Sequence, residues 1–238
     1  MFTFCNLQNN MITKDEVEKL LGIKIKSIDN YISACTHRSY LNEHRSFPLP
    51  HNERLEFLGD AVLELVATEY LYRTYPYSEG ELTNFRSALV NYKILAEISS
   101  RIGLEKFLLM SRGEAKDTGR ARQVILANAI EAIIGAIYED VGYESAVDFI
   151  TREILVELPR IIQSGQYVDP KSKLQEIVQE RKGVTPSYHV VSETGPDHNK
   201  IFVVSANIQQ TEAGRGSGPS KQEAEIAAAE DALKNMGI

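Results

Sequence analysis

The sequence has 238 residues, of which 43% are hydrophobic and 25% charged. It suits one large domain or two small ones, and excludes a disordered or fibrous chain. The net charge of −7 by itself counts against a nucleic-acid partner, because lysine and arginine make phosphate contacts. No stretch reaches the ~18 consecutive apolar residues of a membrane helix. The first residues lack a secretory pattern and two cysteines cannot build a disulfide framework, so we expect a cytoplasmic protein without membrane association.

The first two thirds of the chain follow a helical hydrophobic pattern. Thr13, with Glu16 three residues later, is a capping-box pattern that predicts the start of the first helix. Turn residues separate the further helices, predicted over residues 28–41, 53–75, 79–100, 123–141 and 143–163. The pattern predicts an all-α domain over residues 12–165, followed by a linker at 166–169.

After the linker the hydrophobic pattern changes from helical spacing to alternation. It predicts a helix, three strands and a closing helix, over residues 171–182, 187–191, 201–206, 209–215 and 221–235. This order predicts a small α+β domain over residues 170–238. The fold class is therefore multidomain, an all-α domain followed by a small α+β domain.

The helix predicted over residues 53–75 carries a row of acids. At about 100° per residue, four acidic side chains fall within about 80°: Glu53, Glu56, Asp60 and Glu64. The apolar residues expected to face the core lie opposite them: Leu55, Leu58, Val62, Leu65 and Val66. A row of acids is usually a solvated surface, but like charges at this spacing repel. Gly59 also costs ~1 kcal/mol relative to alanine unless another segment approaches closely. Phe57, at the edge of the acidic face, indicates a partner surface.

A second predicted helix, over residues 123–141, has matching features. Asn128, Glu131 and Gly135 share one side of it, away from the apolar residues. Carboxylate and amide oxygens from two helices suit a hard divalent cation, Mg²⁺ or Mn²⁺. A di-iron carboxylate bundle is the competing interpretation, but it uses Glu-x-x-His pairs. None of the five histidines has a glutamate three residues before it, which disfavours that alternative.

Several motifs along the chain point to one family. The most specific is NERLEFLGD at residues 52–60, supported by THRSY at 36–40, EGEL at 79–82, RSALV at 86–90 and EAIIGAIY at 131–138. With these motifs the sequence resembles bacterial ribonuclease III, the double-strand-specific endoribonuclease. The resemblance covers all but about the first ten residues.

The resemblance implies roles for particular residues. The catalytic Mg²⁺, for which Mn²⁺ can substitute, would be held by Glu56, Asp60, Asn128 and Glu131. Asp60 and Glu131 are implied to be catalytic, and Glu53 and Glu79 to be secondary acids near the scissile bond. Phe57 matches an aromatic residue that packs into the other subunit of a homodimer, in which each site cuts one RNA strand.

Position 128 departs from the family pattern. Much of the family has aspartate where this chain has Asn128, so one negative charge is missing. We expect cleavage to survive with an altered metal dependence. The alternative is a regulator that binds double-stranded RNA and has lost efficient cleavage through Asn128.

The C-terminal unit resembles a double-stranded RNA-binding domain, which reads the shape of A-form RNA. The resemblance implies that Gln175 and Glu176 meet 2′-hydroxyl groups, and that His198 enters the next minor groove. Ser220 and Lys221 open the closing helix, where backbone N–H groups and the lysine would hold phosphate.

Overall fold

The structure is a computed structural model that describes residues 12–165, 169–196 and 200–238. The described residues fall into two compact units, with the boundary between Ser164 and Gly165. Of the linker predicted at 166–169, only Asp169 is described. No helix within the described ranges is long and apolar enough to cross a membrane.

The N-terminal unit is built from α-helices, as predicted. They are α1 Lys14–Leu21, α2 Ile28–Ala34, α3 Arg38–Glu43, α4 Glu53–Thr74, α5 Glu79–Leu89, α6 Tyr92–Ile102, α7 Arg120–Val141, α8 Tyr143–Glu153 and α9 Leu158–Ser164. The capping box predicted at Thr13 and Glu16 is confirmed, because each side chain bonds the backbone N–H of the other residue. The helices α4 and α7 pack against each other in the centre of the unit.

Two predicted helices are each divided in two. The prediction over 28–41 is wrong at residues 35–37, where the Leu109 N–H donates to the Cys35 carbonyl at 2.8 Å and the Asn52 N–H donates to the Thr36 carbonyl at 2.9 Å. The prediction over 79–100 is wrong at Asn91, whose side chain accepts from the N–H groups that open α6. In both places the backbone or a cap offers hydrogen bonds that compete with a continuous helix.

The prediction that Leu65 faces the core is wrong, since its side chain is 57% exposed. The buried side of α4 runs through Gly59, Leu63 and Ala67, closer to the acidic face than the hydrophobic pattern indicated. The reason is that α7 crosses α4 at Gly59, as described below. Leu65 consequently lies on the outer face of the helix.

The C-terminal unit has the predicted α-β-β-β-α order. Its elements are α10 Pro170–Lys182, β1 Ser187–Thr194, β2 Ile201–Ile208, β3 Thr211–Gly218 and α11 Lys221–Asn235. The strands form an antiparallel sheet in the order β1-β2-β3. The third strand begins at Thr211 and not at Gln209 as predicted, because Gln209 has φ 59° and forms the hairpin turn.

The helix α11 lies directly on β3 because glycine and alanine face each other. Alternate positions of β3 are glycine, and a Cβ built on Gly216 would lie 2.6 Å from the Cβ of Ala227. The buried alanines of α11 include Ala224, Ala228 and Ala232. This close packing fixes the start of α11, which carries Ser220 and Lys221, relative to the sheet.

Candidate functional site

The two central helices cross backbone to backbone at a pair of glycines. A Cβ built on Gly59 of α4 would overlap the carbonyl oxygen of Glu131 and lie 2.8 Å from the Gly135 nitrogen. A Cβ built on Gly135 of α7 would overlap the carbonyl oxygen of Leu55. Any larger residue at either position would separate the helices. The crossing therefore brings the polar residues beside it on α4 and α7 together.

The acidic side chains beside the crossing influence one another's ionisation. Burial, together with the negative charges of Asp60 and Glu56, raises the pKa of Glu131 to about 8. Burial also raises the pKa of Glu56, as do the charges of Glu53 and Asp60, while a hydrogen bond from Asn128 lowers it. The four side chains predicted to hold a cation are thus linked by charge or by a hydrogen bond, and we call them the carboxylate cluster: Glu56, Asp60, Asn128 and Glu131.

The acids at the two ends of the row on α4 are paired with basic groups. Glu53 lies 3.5 Å from the guanidinium of Arg38 and 3.8 Å from Nδ1 of His51. Glu64 lies 3.0 Å from Nε of Arg86 on α5. The pattern of acids on a helix did not reveal these partners, although Arg38 and Arg86 both belong to the motifs singled out above. The two acids in the middle of the row belong to the carboxylate cluster.

The THRSY motif positions the start of α4. The carbonyl of Thr36 accepts from the Asn52 N–H. The His37 N–H donates to the Leu109 carbonyl, and the Ser39 hydroxyl accepts from the Ser111 N–H, on the connection that precedes α7. Asn52 itself is buried. The motif therefore links the N-terminal end of α4 to the segment that leads to α7. These two helices carry the residues of the cluster.

The donor set of the cluster suits a hard divalent cation, because it consists of three carboxylates and one amide oxygen. The raised pKa of Glu131 and Glu56 is the response expected of acids crowded together without a compensating positive charge. Among the described residues, no three or more His, Cys, Asp or Glu side chains are arranged as a ready-made metal site. Mg²⁺ binds through one or two carboxylates and keeps several waters, so it does not need three converged carboxylates.

The secondary acid Glu79 lies outside the carboxylate cluster. It is in the first turn of α5 and borders a cleft of about 880 Å³ between α4 and α5, which we call the aromatic cleft. The lining of this cleft comprises Thr68, Leu71, Tyr72, Tyr75, Pro76, Tyr77, Glu79, Leu82, Thr83 and Arg86.

An apolar stripe on the outer face of α4 runs from Phe57 to the aromatic cleft. Phe57 is 81% exposed, Leu65 57% and Tyr72 79%. Spacings of eight and seven residues place the three side chains on one face of the helix. Large exposed apolar patches mark interaction sites in soluble proteins. The position of Phe57 is thus consistent with the partner surface that the sequence indicated.

The predicted RNA-contacting residues of the C-terminal unit that the structure describes lie on its surface. Gln175 and Glu176 are exposed on α10, and Lys221 is exposed at the start of α11. The Ser220 hydroxyl accepts from the Glu223 N–H at 3.2 Å and so caps α11. The ammonium of Lys221 lies 4.0 Å from a carboxylate oxygen of Glu193 on β1. His198 lies outside the described residues.

Comparison with known proteins identifies the class of both units. A ribonuclease-III-like family model matches residues 29–158, and a double-stranded RNA binding motif model matches residues 170–236. The nuclease domain of ribonuclease III from Campylobacter jejuni has a similar fold, with a TM-score of 0.55 and 40% identity, over 62% of this chain and 99% of that chain. The protein is thus an RNase-III-like helical nuclease with a C-terminal double-stranded RNA-binding domain.

Relatives of known name extend over both units. Ribonuclease 3 of Carboxydothermus hydrogenoformans is 45% identical over 92% of this chain and 93% of its own length. Ribonuclease 3 of Borreliella burgdorferi is 42% identical over 99% of this chain and 95% of its own. The chain belongs to the ribonuclease III family and is an endoribonuclease.

Proposed function

We propose that this protein is a Mg²⁺-dependent endoribonuclease that hydrolyses phosphodiester bonds of double-stranded RNA. It leaves 5′-phosphate ends with short 3′ overhangs and acts on ribosomal RNA precursors and other structured transcripts in the cytoplasm. The observation that supports the proposal is the effect of the Asp60 and Glu56 charges on the Glu131 carboxyl across the glycine crossing of α4 and α7.

The residues of the carboxylate cluster have distinct tasks in this mechanism. Asp60 and Glu131 offer the carboxylates most directly involved, and Glu56 and Asn128 complete the oxygen donors. When bound, a divalent cation would activate water for in-line attack on the phosphate and stabilise the leaving 3′ oxygen. With a pKa of about 8, the Glu131 carboxyl holds a proton at neutral pH and must release it to become a ligand. Glu53 acts as a secondary acid beside the cluster, and Glu79, which borders the aromatic cleft, acts as a secondary acid outside it.

A homodimer is the functional unit in this proposal, and each protomer contributes one carboxylate cluster. The exposed Phe57 and the aromatic cleft support it, because both lie on or beside the same face of α4. The solved nuclease domain from Campylobacter jejuni is described as having a flexible region involved in dimer formation. In the dimer, the Phe57 side chain of each copy packs against the surface of the other copy.

The C-terminal domain holds the RNA duplex. Gln175 and Glu176 on α10 are exposed and able to meet 2′-hydroxyl groups, with His198 as a further contact. The N-terminal end of α11, with Ser220 and Lys221, offers N–H groups and an ammonium to phosphate. Because A-form shape is read here rather than base sequence, the domain supports a broad range of structured RNA substrates.

A second candidate function rests on one residue. Asn128 removes a charge from the cluster, so a double-stranded RNA-binding regulator with weak or lost cleavage is the alternative. The two candidates differ in what happens to bound RNA.

One assay separates these functions. Purified protein is incubated with a long RNA duplex in Mg²⁺ or in EDTA, and the product ends are mapped. We expect shortening in Mg²⁺ alone, 5′-phosphate ends, and no shortening by the Asp60→Asn variant. A gel shift without shortening, at every Mg²⁺ and Mn²⁺ concentration, would support the regulator and contradict the nuclease.

A further inference from the structure

Arg86 of α5 makes two polar contacts with α4. Its Nε lies 3.0 Å from Oε2 of Glu64, and its Nη1 donates to Oγ1 of Thr68 at 2.8 Å. The Thr68 hydroxyl in turn donates to the Glu64 carbonyl oxygen at 2.6 Å. The side chains of Arg86 and Glu64 are 31% and 39% exposed, so the ion pair is partly shielded from water. Together these contacts join Arg86 of α5 to two successive turns of α4, at Glu64 and Thr68.

The same arginine forms part of the wall of the aromatic cleft. Tyr72, Tyr75 and Tyr77 line the cleft with it, and Tyr77 packs edge-on against Phe85 at a centroid separation of 5.3 Å. Aromatic walls with a polar rim favour an aromatic side chain as occupant. The cleft lies between α4 and α5, and the contacts of Arg86 join these two helices.

The occupant that fits this cleft is a second copy of the chain. Phe57 is 81% exposed and lies on the same face of α4 as Tyr72, which borders the cleft. In a two-fold interface both subunits present the same surface, so a face with a protruding aromatic residue and a cleft complements itself. Phe57 of each copy would then approach the cleft of the other.

We propose that Arg86 is a positioning residue of the interface between two copies of this chain. Its ion pair with Glu64 and its hydrogen bond to Thr68 hold the cleft in the shape that receives Phe57. The planar guanidinium contacts both partners at once, which the single ammonium of a lysine does poorly. This inference rests on the proposed function, which includes the homodimer.

The test measures the dimer dissociation constant of the full-length protein by sedimentation equilibrium. We expect Arg86→Gln to raise it by roughly ten-fold or more, and Arg86→Lys to raise it less. Cleavage per protomer should fall at low protein concentration and recover at high concentration, which loss of a catalytic group would not allow. The matched control is Arg73→Gln, because Arg73 pairs with Glu69 along α4 outside the lining of the cleft.

Thermal melts by circular dichroism show whether each variant folds. If Arg86→Gln does not fold, Glu64→Gln takes its place, because it weakens the same ion pair more mildly. If the wild type is a dimer and neither Arg86→Gln nor Glu64→Gln changes its dimer dissociation constant, the role of Arg86 is wrong, but the homodimer stands. A wild type that stays monomeric at all concentrations would overturn the homodimer itself, and with it this inference. Loss of cleavage that high protein concentration does not restore would also contradict the positioning role.

Discussion

The fold strongly changes the ionisation of Glu131. It lies on α7 at the glycine crossing, and burial together with the charges of Asp60 and Glu56 raises its pKa to about 8. A carboxyl group in this environment favours its neutral form until a positive charge arrives. In the proposed function, the protonation of Glu131 therefore couples cation binding to pH.

The first prediction concerns the stability of the metal-free protein. Between the ordinary carboxyl value of 4.5 and about 8, folded Glu131 keeps a proton that the unfolded chain releases. Stability therefore falls as the pH rises through this window. Glu131→Gln removes the titration, so we expect its Tm in EDTA to exceed that of the wild type by several degrees at about pH 9 and by little at about pH 5.

The matched control for this prediction is Glu139→Gln, which neutralises an exposed acid on the same helix. We expect it to leave the difference between the two pH values unchanged. An equal gain in Tm from Glu131→Gln at both pH values would show that the Glu131 carboxyl is not held in its neutral form.

The second prediction concerns the missing charge at Asn128. Its hydrogen bond to Glu56 favours the charged form of that carboxyl. Asn128→Asp adds a negative ligand to the cluster, so the Mg²⁺ concentration for half-maximal cleavage should fall by roughly ten-fold. A titration of cleavage rate with Mg²⁺ and with Mn²⁺ measures it. If the wild type cuts at no concentration of either metal and Asn128→Asp restores cutting, the expectation that Asn128 preserves activity is wrong.

At the scale of elements, the site depends on how closely α4 and α7 approach. Gly59 and Gly135 lie at the contact, and each faces the backbone of the opposite helix. Close-packed backbones leave no flexible side chain that could move aside. The distance between the carboxylates of the two helices is therefore set by two residues that carry no side chain.

The third prediction follows from this contact. Gly59→Ala would place a methyl group against the Glu131 carbonyl, which costs at least ~1–3 kcal/mol of folding free energy and separates the acids. The control is Gly80→Ala in α5, because a Cβ there has nothing within 4 Å. Urea unfolding measures both, and we expect the control to be neutral or slightly stabilising. Equal stabilities of the two variants would contradict the close crossing.

Regular elements with a strong hydrophobic period were predictable from the sequence. The long helices, the closing helix and the order of strands all follow from local patterns. The break at Thr36 was not predictable, because it depends on hydrogen bonds to Leu109, more than seventy positions away. The exposure of Leu65 was missed for a related reason, since the buried side of α4 is decided by where α7 crosses.

The candidate site was predictable to a similar extent. The spacing of acids on one helix indicated Glu56 and Asp60, and the shared side of a second helix indicated Asn128 and Glu131. The roles of all four residues stay predictions. The partners of the outer acids were missed, because Arg86 pairs with Glu64 across a helix connection and helical spacing within α4 does not reveal it.

At the scale of the whole molecule, charge is unevenly distributed. Residues 170–238 contain eight basic and nine acidic side chains, so most of the net charge of −7 belongs to the rest of the chain. Part of that acidity forms the carboxylate cluster, which a bound cation would neutralise. An acidic protein can therefore bind RNA through a nearly neutral domain with a few well-placed contacts.

The fourth prediction tests how that domain binds. Lys221→Gln removes one phosphate contact, so the slope of log affinity for duplex RNA against log salt should become shallower by about 1. Gln175→Ala removes a 2′-hydroxyl contact, and it should weaken binding while leaving the slope unchanged. Fluorescence anisotropy in EDTA measures both. A slope that Lys221→Gln leaves unaltered would show that this lysine does not contact phosphate.

The central claim is that the carboxylate cluster cuts the duplex that the C-terminal domain binds. Its most direct test measures cleavage and binding of one RNA duplex by the wild type, Asp60→Asn and Glu131→Gln. Removing a ligand of the catalytic cation should abolish Mg²⁺-dependent cutting in both variants, while their duplex affinity in EDTA stays within about two-fold of the wild type. Cutting by either variant at the rate of the wild type would contradict the assignment of the site.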